Sequence, residues 1–518
     1  MCSQCAKRGR PSGGKRDTIP PVILKSTPEN FSTYFDSDEI RIYFDEYIKL
    51  KDLQQNLIIS PPLKYTPIIT PLNTSKILKI KILDTLKENT TYQFNFGKSI
   101  VDNNEDNEFE YFKYVFSTGS YIDSLSVSGS IQDAVLLNPA SKAAVMLYEV
   151  NEAFKDSIVY SEKPTYVATS RDSTFAFELT NLKAGTYLML ALQEENNDFT
   201  FQPKNDQIGF IDNYVTVPSD SSYAITMFKE VPDYKPGRPG QRSKNRISFG
   251  YEGEPESFVP ELISEVPSDF EVRTFKDRDT DTLNYWYKPA LEVDSLLFRV
   301  ASGDRVDTLN VRIRELYPDS LQFTPIKTGN IIPNDTVRFA ANIPLESLDA
   351  EKITVVDQDT LDITSTATIN KKDNTVGVYF EKTENNAYKV NVLPGALTDF
   401  LGAAHDSLVF SARTRSTSDY GTITLNLVNN RPSPVIVQLV DIRFNVIAEQ
   451  KFVRGTPVYF EYVPPEKYYI RFIVDENDNG RWDTGNFLQR QQPEEIIYFP
   501  TQLQVNVNWD LVENFTLN

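Results

Sequence analysis

Apolar side chains recur two residues apart in one short run after another along this chain, a period that belongs to strands and not to amphipathic helices. Ile40-Arg41-Ile42-Tyr43-Phe44-Asp45-Glu46-Tyr47-Ile48, Lys76-Ile77-Leu78-Lys79-Ile80-Lys81-Ile82 and Tyr92-Gln93-Phe94-Asn95-Phe96 each place apolar residues on one face of a pleated segment. Between them stand Pro61-Pro62 and Glu88-Asn89-Thr90, residue types that make turns. The 27 Tyr and 32 Phe against 4 Met also favour strands, and 31 Pro spread along the chain break it into short elements. No stretch approaches the roughly 20 apolar residues that a membrane-crossing helix needs. At 518 residues the chain exceeds what one core serves, so several domains are expected. The predicted fold class is all-β, a tandem series of β-sandwich domains.

The first module, residues 19–120, closes with Tyr114-Val115-Phe116-Ser117-Thr118-Gly119, and its short, evenly spaced strands read as an antiparallel sandwich. A second module over 121–232 begins near Leu125-Ser126-Val127. Its Leu182-Lys183-Ala184-Gly185-Thr186-Tyr187-Leu188-Met189-Leu190-Ala191-Leu192 reads as a tight turn feeding a strand buried on both faces. Lys235-Pro236-Gly237-Arg238-Pro239-Gly240 marks a linker over 233–245. Leu283-Asn284-Tyr285-Trp286-Tyr287, Leu296-Leu297-Phe298-Arg299-Val300 and Leu309-Asn310-Val311-Arg312-Ile313 then suggest a small β insert over 246–320. Beyond it the first two modules return in weak form, at 321–415 and 416–518. Glu88-Asn89-Thr90-Thr91-Tyr92 is echoed by Glu384-Asn385-Asn386-Ala387-Tyr388, and Phe116-Ser117-Thr118 by Phe410-Ser411-Ala412. Ala191-Leu192-Gln193-Glu194-Glu195-Asn196 is echoed by Ile473-Val474-Asp475-Glu476-Asn477. A duplicated pair of modules suits a scaffold or spacer built by reuse.

Both cysteines, Cys2 and Cys5, fall within the first five residues. Residues 1–18 are basic, rich in Gly and Pro and without apolar periodicity, so they read as a flexible tether. A thiol kept only at the start of a chain points to a modification site. Ser3-Gln4-Cys5 reads as the tail of a bacterial lipobox, although Gln stands where a small residue is favoured. The charged and apolar parts of a signal peptide are not in this sequence, so the expectation is that it begins near the cleavage point or was started too late. The competing reading is two cysteines without a role in a flexible tail; a Cys2–Cys5 disulfide or a zinc site ranks below it. The zinc site lacks a second ligand pair, and the single histidine is His405. The formal charge of −19 argues against nucleic acid as a partner, because phosphates would be repelled. Solubility is the simplest use of that charge, with attraction of cations or basic peptides as the other.

These features carry a resemblance. Cys5-Ala6-Lys7-Arg8-Gly9-Arg10-Pro11-Ser12-Gly13-Gly14 and Asp17-Thr18-Ile19-Pro20-Pro21-Val22 resemble the mature start of Bacteroidota Ig-like-domain outer-membrane lipoproteins. Ser26-Thr27-Pro28-Glu29-Asn30, Phe44-Asp45-Glu46-Tyr47 and Phe116-Ser117-Thr118-Gly119 are similar to that family's SbsA-type Ig-like domain. Module two looks like a carboxypeptidase-regulatory or prealbumin-like sandwich, and Asp475-Glu476-Asn477-Asp478-Asn479-Gly480-Arg481-Trp482-Asp483 with Asn508-Trp509-Asp510 resembles the family's ending. The resemblance implies Ig-like domains at 19–120 and 321–415, prealbumin-like sandwiches at 121–232 and 416–518, a signal peptide, lipidation at Cys5 (Cys2 being the alternative) and outer-membrane anchoring. It implies no defined biochemical activity. Surface-exported members often carry acidic residues just after the cysteine, whereas Lys7, Arg8 and Arg10 are basic here, so the periplasmic face and the cell surface both stay open.

Asp475, Asn477, Asn479, Gly480 and Asp483 occupy the first, third, fifth, sixth and ninth places of an EF-hand-like loop, where oxygen ligands could converge on Ca2+. The twelfth place, which wants a bidentate Glu, is Asn486. A turn held by Asx hydrogen bonds accounts for the same residues. Glu194-Glu195-Asn196-Asn197-Asp198, the corresponding loop of module two, lacks the glycine. His405 has no recognisable nucleophile beside it. There is no G-x-S-x-G elbow and no P-loop lysine, although 72 acids leave a glycosidase-like carboxylate pair open to chance. Tyr285-Trp286-Tyr287 and Tyr111-Phe112-Lys113-Tyr114 invite a sugar-binding platform, but in an alternating strand half of such residues point into the core, and that is the favoured account. The expectation is a protein that is not an enzyme, with no cofactor unless Ca2+ binds. It is expected to be a lipid-anchored outer-membrane subunit that holds protein partners in an envelope complex, with barrel assembly or export as the host. The alternative is a surface lipoprotein binding glycans or nutrients.

Overall fold

The period-two runs fold as strands. In Glu39–Leu50, Ile40, Ile42 and Phe44 are buried while Arg41 and Asp45 face water. Ser75–Lys81 pairs with it antiparallel, Ile42 opposite Leu78 and Ile40 opposite Ile80, so one apolar face is shared across the ladder. The computed structural model describes residues 17–518 apart from Ala140, Asp172, Ser173, Glu195, Asn197, Glu256, Ser257 and Asp304. Strand makes up 49 % of it and helix 3 %, which fixes the class as all-β. Among the described residues no helix is long and apolar enough to cross a membrane.

The chain divides into two compact units. One runs up to Glu230 and includes Asp483–Glu495; the other comprises Val231–Trp482 and Ile496–Asn518. In the first unit, Ile23–Thr27, Glu39–Leu50, Ser75–Lys81 and Ile68–Thr70 form one sheet in that order, and Ile58–Ser60, Thr91–Asn95 and Lys113–Ser117 form another. Between them lies an aromatic core of Phe44, Tyr92, Phe94, Tyr114 and Phe116, with Phe35 stacked on Phe116 at 3.9 Å. Each such buried ring contributes about 1.5–3 kcal/mol of burial free energy. The next sandwich of this unit has the order Tyr166–Thr169, Ala144–Glu149, Gly185–Gln193, Gln207–Phe210 in one sheet. Its other sheet is Ala176–Leu182, Leu125–Asp133, Ser222–Met227, with the last two strands parallel. Tyr187, Met189 and Ala191 enter the core between these sheets, and Leu188, Leu190 and Leu192 on the opposite face are also fully buried. The strand is covered on both sides, as its unbroken apolar run predicts.

The second unit repeats both topologies. Leu125–Asp133 through Ser222–Met227 is matched strand for strand by Gly421–Asn429 through Asp510–Leu517. The order Val446–Lys451, Val435–Asp441, Lys467–Val474, Ile496–Tyr498 recurs, and first and last strands again run parallel. The Ig-like order returns as Phe323–Lys327, Val337–Ala341, Thr375–Phe380, Ser365–Asn370, with Ile353–Val356, Ala387–Val392 and Leu408–Arg413 in the facing sheet. Hydrogen bonds repeat with the strands. Thr118 Oγ1 receives the Thr90 amide and donates to the Lys87 carbonyl; Thr414 Oγ1 receives the Asn386 amide and donates to the Thr383 carbonyl. In the other repeated topology, the Tyr187 hydroxyl donates to Lys183 O and the Tyr468 hydroxyl to Pro464 O, each four residues upstream.

Two sequence expectations need adjustment. Tyr92 pairs with Phe116 and Tyr388 with Ala412, so Phe116 corresponds to Ala412 and Thr118 to Thr414. Matching Phe116-Ser117-Thr118 to Phe410-Ser411-Ala412 followed the aromatic residue and slipped by two, which preserves the face and so leaves no trace in the alternation. The segment 233–245, expected as a linker, carries two short strands. Lys235–Pro236 and Gly240–Ser243 both pair with Arg246–Glu252, at the edge where proline is tolerated.

Candidate functional site

Asp475 follows the central strand Lys467–Val474 and is completely buried. Its Oδ1 accepts from the Asn479 amide at 3.0 Å and its Oδ2 from the Gly480 amide at 2.9 Å. Asn477 Oδ1 accepts from the Asn479 amide at 3.1 Å, and Asn479 Oδ1 from the Arg481 amide at 2.9 Å. The oxygens proposed as calcium ligands therefore close an Asx-type turn, with Gly480 at φ 80° where a side chain would be strained. Asp483 belongs to the first unit, where its amide donates to Glu494 at 3.0 Å. Among the described residues, no three His, Cys, Asp or Glu side chains gather to hold a metal ion.

Glu194 occupies the equivalent place after Gly185–Gln193. Its carboxylate accepts from the Asp198 amide at 3.2 Å and the Phe199 amide at 2.8 Å, four and five residues on, as Asp475 does. Here burial dominates, and with the Asp198 carboxyl close by it pushes Glu194 up to about 7. Asp198 is also partly buried, but hydrogen bonds from the Thr200 hydroxyl and amide outweigh that and hold it below its ordinary value. The raised value and the lowered one place the proton on Glu194 and leave Asp198 the ionised partner. A cleft of about 630 Å3 is lined by Asn196 and Phe199 of the same loop together with Lys163, Leu63 and Tyr65, but neither carboxylate is among its lining residues. The Tyr148 hydroxyl donates to the Phe199 carbonyl at 3.2 Å, tying the loop down over the sheet.

His405 is buried and spends both ring nitrogens on the backbone. Nε2 accepts from the Leu397 amide at 3.2 Å, Nδ1 donates to the Asp406 carbonyl, and the ring meets Phe323 edge-on at 5.5 Å. With no free nitrogen it serves no nucleophile. Tyr285 and Tyr287 lie in the core of the insert with Phe249 and Phe298, and their neighbour Trp286 packs from the opposite face against Ile343 and Phe400. All three are buried, so they form no sugar platform. Of the second cluster, Tyr114 is buried and Tyr111 is exposed. Cys2 and Cys5 lie outside the described residues.

A clamp that the sequence did not suggest lies within the first unit. Phe487 is fully buried and meets Phe210 edge-on at 5.4 Å. Arg490 lies over the rings of Phe210, Tyr214 and Phe487 at 5.8, 5.5 and 5.3 Å, and its guanidinium reaches Asp156 at 2.5 Å. Thr484 donates to the Lys229 carbonyl at 2.7 Å, and the buried Glu230 carboxylate takes the Phe487 amide. The available signal was an aromatic and an arginine inside a loop otherwise rich in Asn and Gln.

The model of the bacterial Ig-like domain matches residues 17–118. The first module is similar to that domain. No curated protein matches the sequence. Among solved structures, the Bacillus anthracis TIE protein aligns at 10 % identity and a TM-score of 0.16, over 98 % of this chain and 76 % of that one. Surface layer protein SbsC, domains 1–6, aligns at 11 % and 0.16, over 90 % and 67 %. The BSP domain of a biofilm associated protein aligns at 9 % and 0.17, over 92 % and 97 %.

Proposed function

We propose that this chain is a non-catalytic, lipid-anchored outer-membrane protein, tethered through Cys5, that acts as a structural or interaction subunit of an envelope complex. The observation that carries the reading is where its reactive side chains go. His405, Asp475 and Glu194 are bound to backbone amides and carbonyls inside repeated sandwiches, so the chemistry of this chain is spent on holding shape. Four sandwiches of two repeated topologies supply many edges and loop surfaces, which suits the holding of partners. Barrel assembly or export is the proposed host, on the ground of the proposed location.

The test is a gentle detergent pull-down of the full chain behind a native-type lipoprotein signal peptide, with Cys5→Ala as control. A stoichiometric set of outer-membrane proteins with the parent, and a soluble, unacylated Cys5→Ala chain, is the expected result. A parent chain recovered alone overturns the subunit reading, and glycan-dependent retention of that lone chain would install the glycan-binding alternative. Lipid still carried by Cys5→Ala moves the anchor to Cys2.

A further inference from the structure

Between the two sandwiches of the first unit lies a cavity of about 120 Å3 whose charge runs against that of the whole chain. Its lining carries Lys98, Lys113, Lys142 and Arg171, with Glu178 as the one carboxylate among the described residues. The chain as a whole has 72 acids to 53 bases, so a wall of four cations to one acid is the reverse of what composition supplies.

Direct bonds between the sandwiches fix the cavity's width. The Val167 amide donates to Ser60 Oγ at 3.1 Å and the Thr180 hydroxyl to Gln93 Oε1 at 2.8 Å. On the far side of that contact, Asp123 takes the buried Thr91 hydroxyl at 2.8 Å. The lining strands therefore hold their spacing without a ligand.

Several half-buried cations elsewhere in the chain pair with acids, Lys49 with Asp106 at 2.6 Å and Arg246 with Asp319 at 3.1 Å, while exposed ones such as Lys79 stay in water. Among the described residues none of the four cavity cations lies within ion-pair distance of a carboxylate. Lys113 has only the Thr180 hydroxyl, at 3.4 Å. Burial holds its ammonium below the ordinary lysine value, with Glu178 opposing that and Arg171 adding to it. An anion in the cavity would relieve this desolvated charge. The volume has room for a few waters or one small oxyanion and not for a sugar ring with its substituents. Tyr111 and Arg171 are exposed, which gives an incoming group a mouth.

We propose that this cavity binds a tetrahedral oxyanion, a phosphate or sulfate group, held by Lys98, Lys113, Lys142 and Arg171. The group enters either as the free ion or as the head of a larger ligand such as a phosphate-bearing lipid. Charge-assisted bonds from several cations are the strong kind, and partial burial between two sandwiches raises their worth. The inference is independent of how the chain is anchored.

The test is calorimetric titration of the full chain with inorganic phosphate, then sulfate, at constant ionic strength. Lys113→Gln and Lys142→Gln are the variants, and Lys79→Gln, an exposed lysine of the first sandwich, is the control. Saturable binding that weakens about tenfold or more in each cavity variant, and not in the control, is expected. Thermal unfolding checks that each variant folds, and a Lys113→Arg chain that keeps binding covers the case in which Lys113→Gln does not. Vesicles of phosphatidylcholine with and without phosphatidic acid separate the sources. Retention only on phosphatidic acid, competed by inorganic phosphate, assigns the site to a headgroup, and binding of the free ion alone assigns it to the ion. No saturable binding, or equal binding in parent and variants, overturns the site.

Discussion

Asp475 and Glu194 show how one residue can be read as a ligand and work as a latch. Each ends a buried central strand, and each holds the backbone amides four and five residues further on. Removing an acceptor from two partly buried amides costs about 1–3 kcal/mol. Asp475→Ala should therefore speed hydrogen exchange at Asn479 and Gly480 by about one to two powers of ten, read by exchange mass spectrometry. Millimolar Ca2+ and then a chelator should leave those two amides unchanged in the parent chain. Calcium-dependent loss of their protection would mean that the metal takes the carboxylate from them. Glu194 adds a pH dependence. Its folded value of about 7 lies above the ordinary 4.5, so the folded state keeps a proton that the unfolded chain releases. Stability contributed at this site accordingly falls as pH rises from about 4.5 to about 7 and stays low above it. In Glu194→Gln, protection of the Asp198 and Phe199 amides should lose that dependence over the same range. A slope that survives the substitution would place the titrating group elsewhere.

Among the elements, those whose function is local were legible and those whose function is distant were not. Asn89 and Asn385 sit at equivalent turns with φ 48° and 52°, a backbone region that asparagine tolerates, so Glu-Asn-polar before Tyr marked both turns correctly. The strand pattern of Glu39–Leu50 was equally plain, because a strand's own side chains declare its buried face. The loop 483–495 declares nothing. Phe487 and Arg490 have no period to belong to, and their partners Phe210, Tyr214 and Asp156 are hundreds of positions away in sequence. Phe487→Ala would remove a fully buried ring, a change that costs about 3–5 kcal/mol where the site cannot collapse. The expected outcome is new protease cleavage within 483–495 under conditions in which the parent chain resists, with the remaining strands intact. Unchanged resistance would show that Arg490 and Thr484 hold the loop without the ring.

For the molecule as a whole, the duplication was visible as echoes of a few residues each. It becomes firm only when strand order and hydrogen bonds are compared. Thr118 and Thr414 make the same two bonds, and Tyr187 and Tyr468 the same hydroxyl-to-carbonyl bond, in segments whose sequences barely agree. The sequence by itself determined the class, the two kinds of module, the doubly buried strand at Gly185–Gln193 and the turns, because each of these follows from side chains near one another along the chain. Tertiary structure decided what residues distant in sequence do together. It buried Tyr285, Trp286 and Tyr287, gave both nitrogens of His405 to the backbone and turned the segment after residue 233 into edge strands. It also brought Lys98, Lys113, Lys142 and Arg171 around one cavity. Period and composition fix which way a side chain faces on its own strand; only the packing of sheets fixes what it meets there.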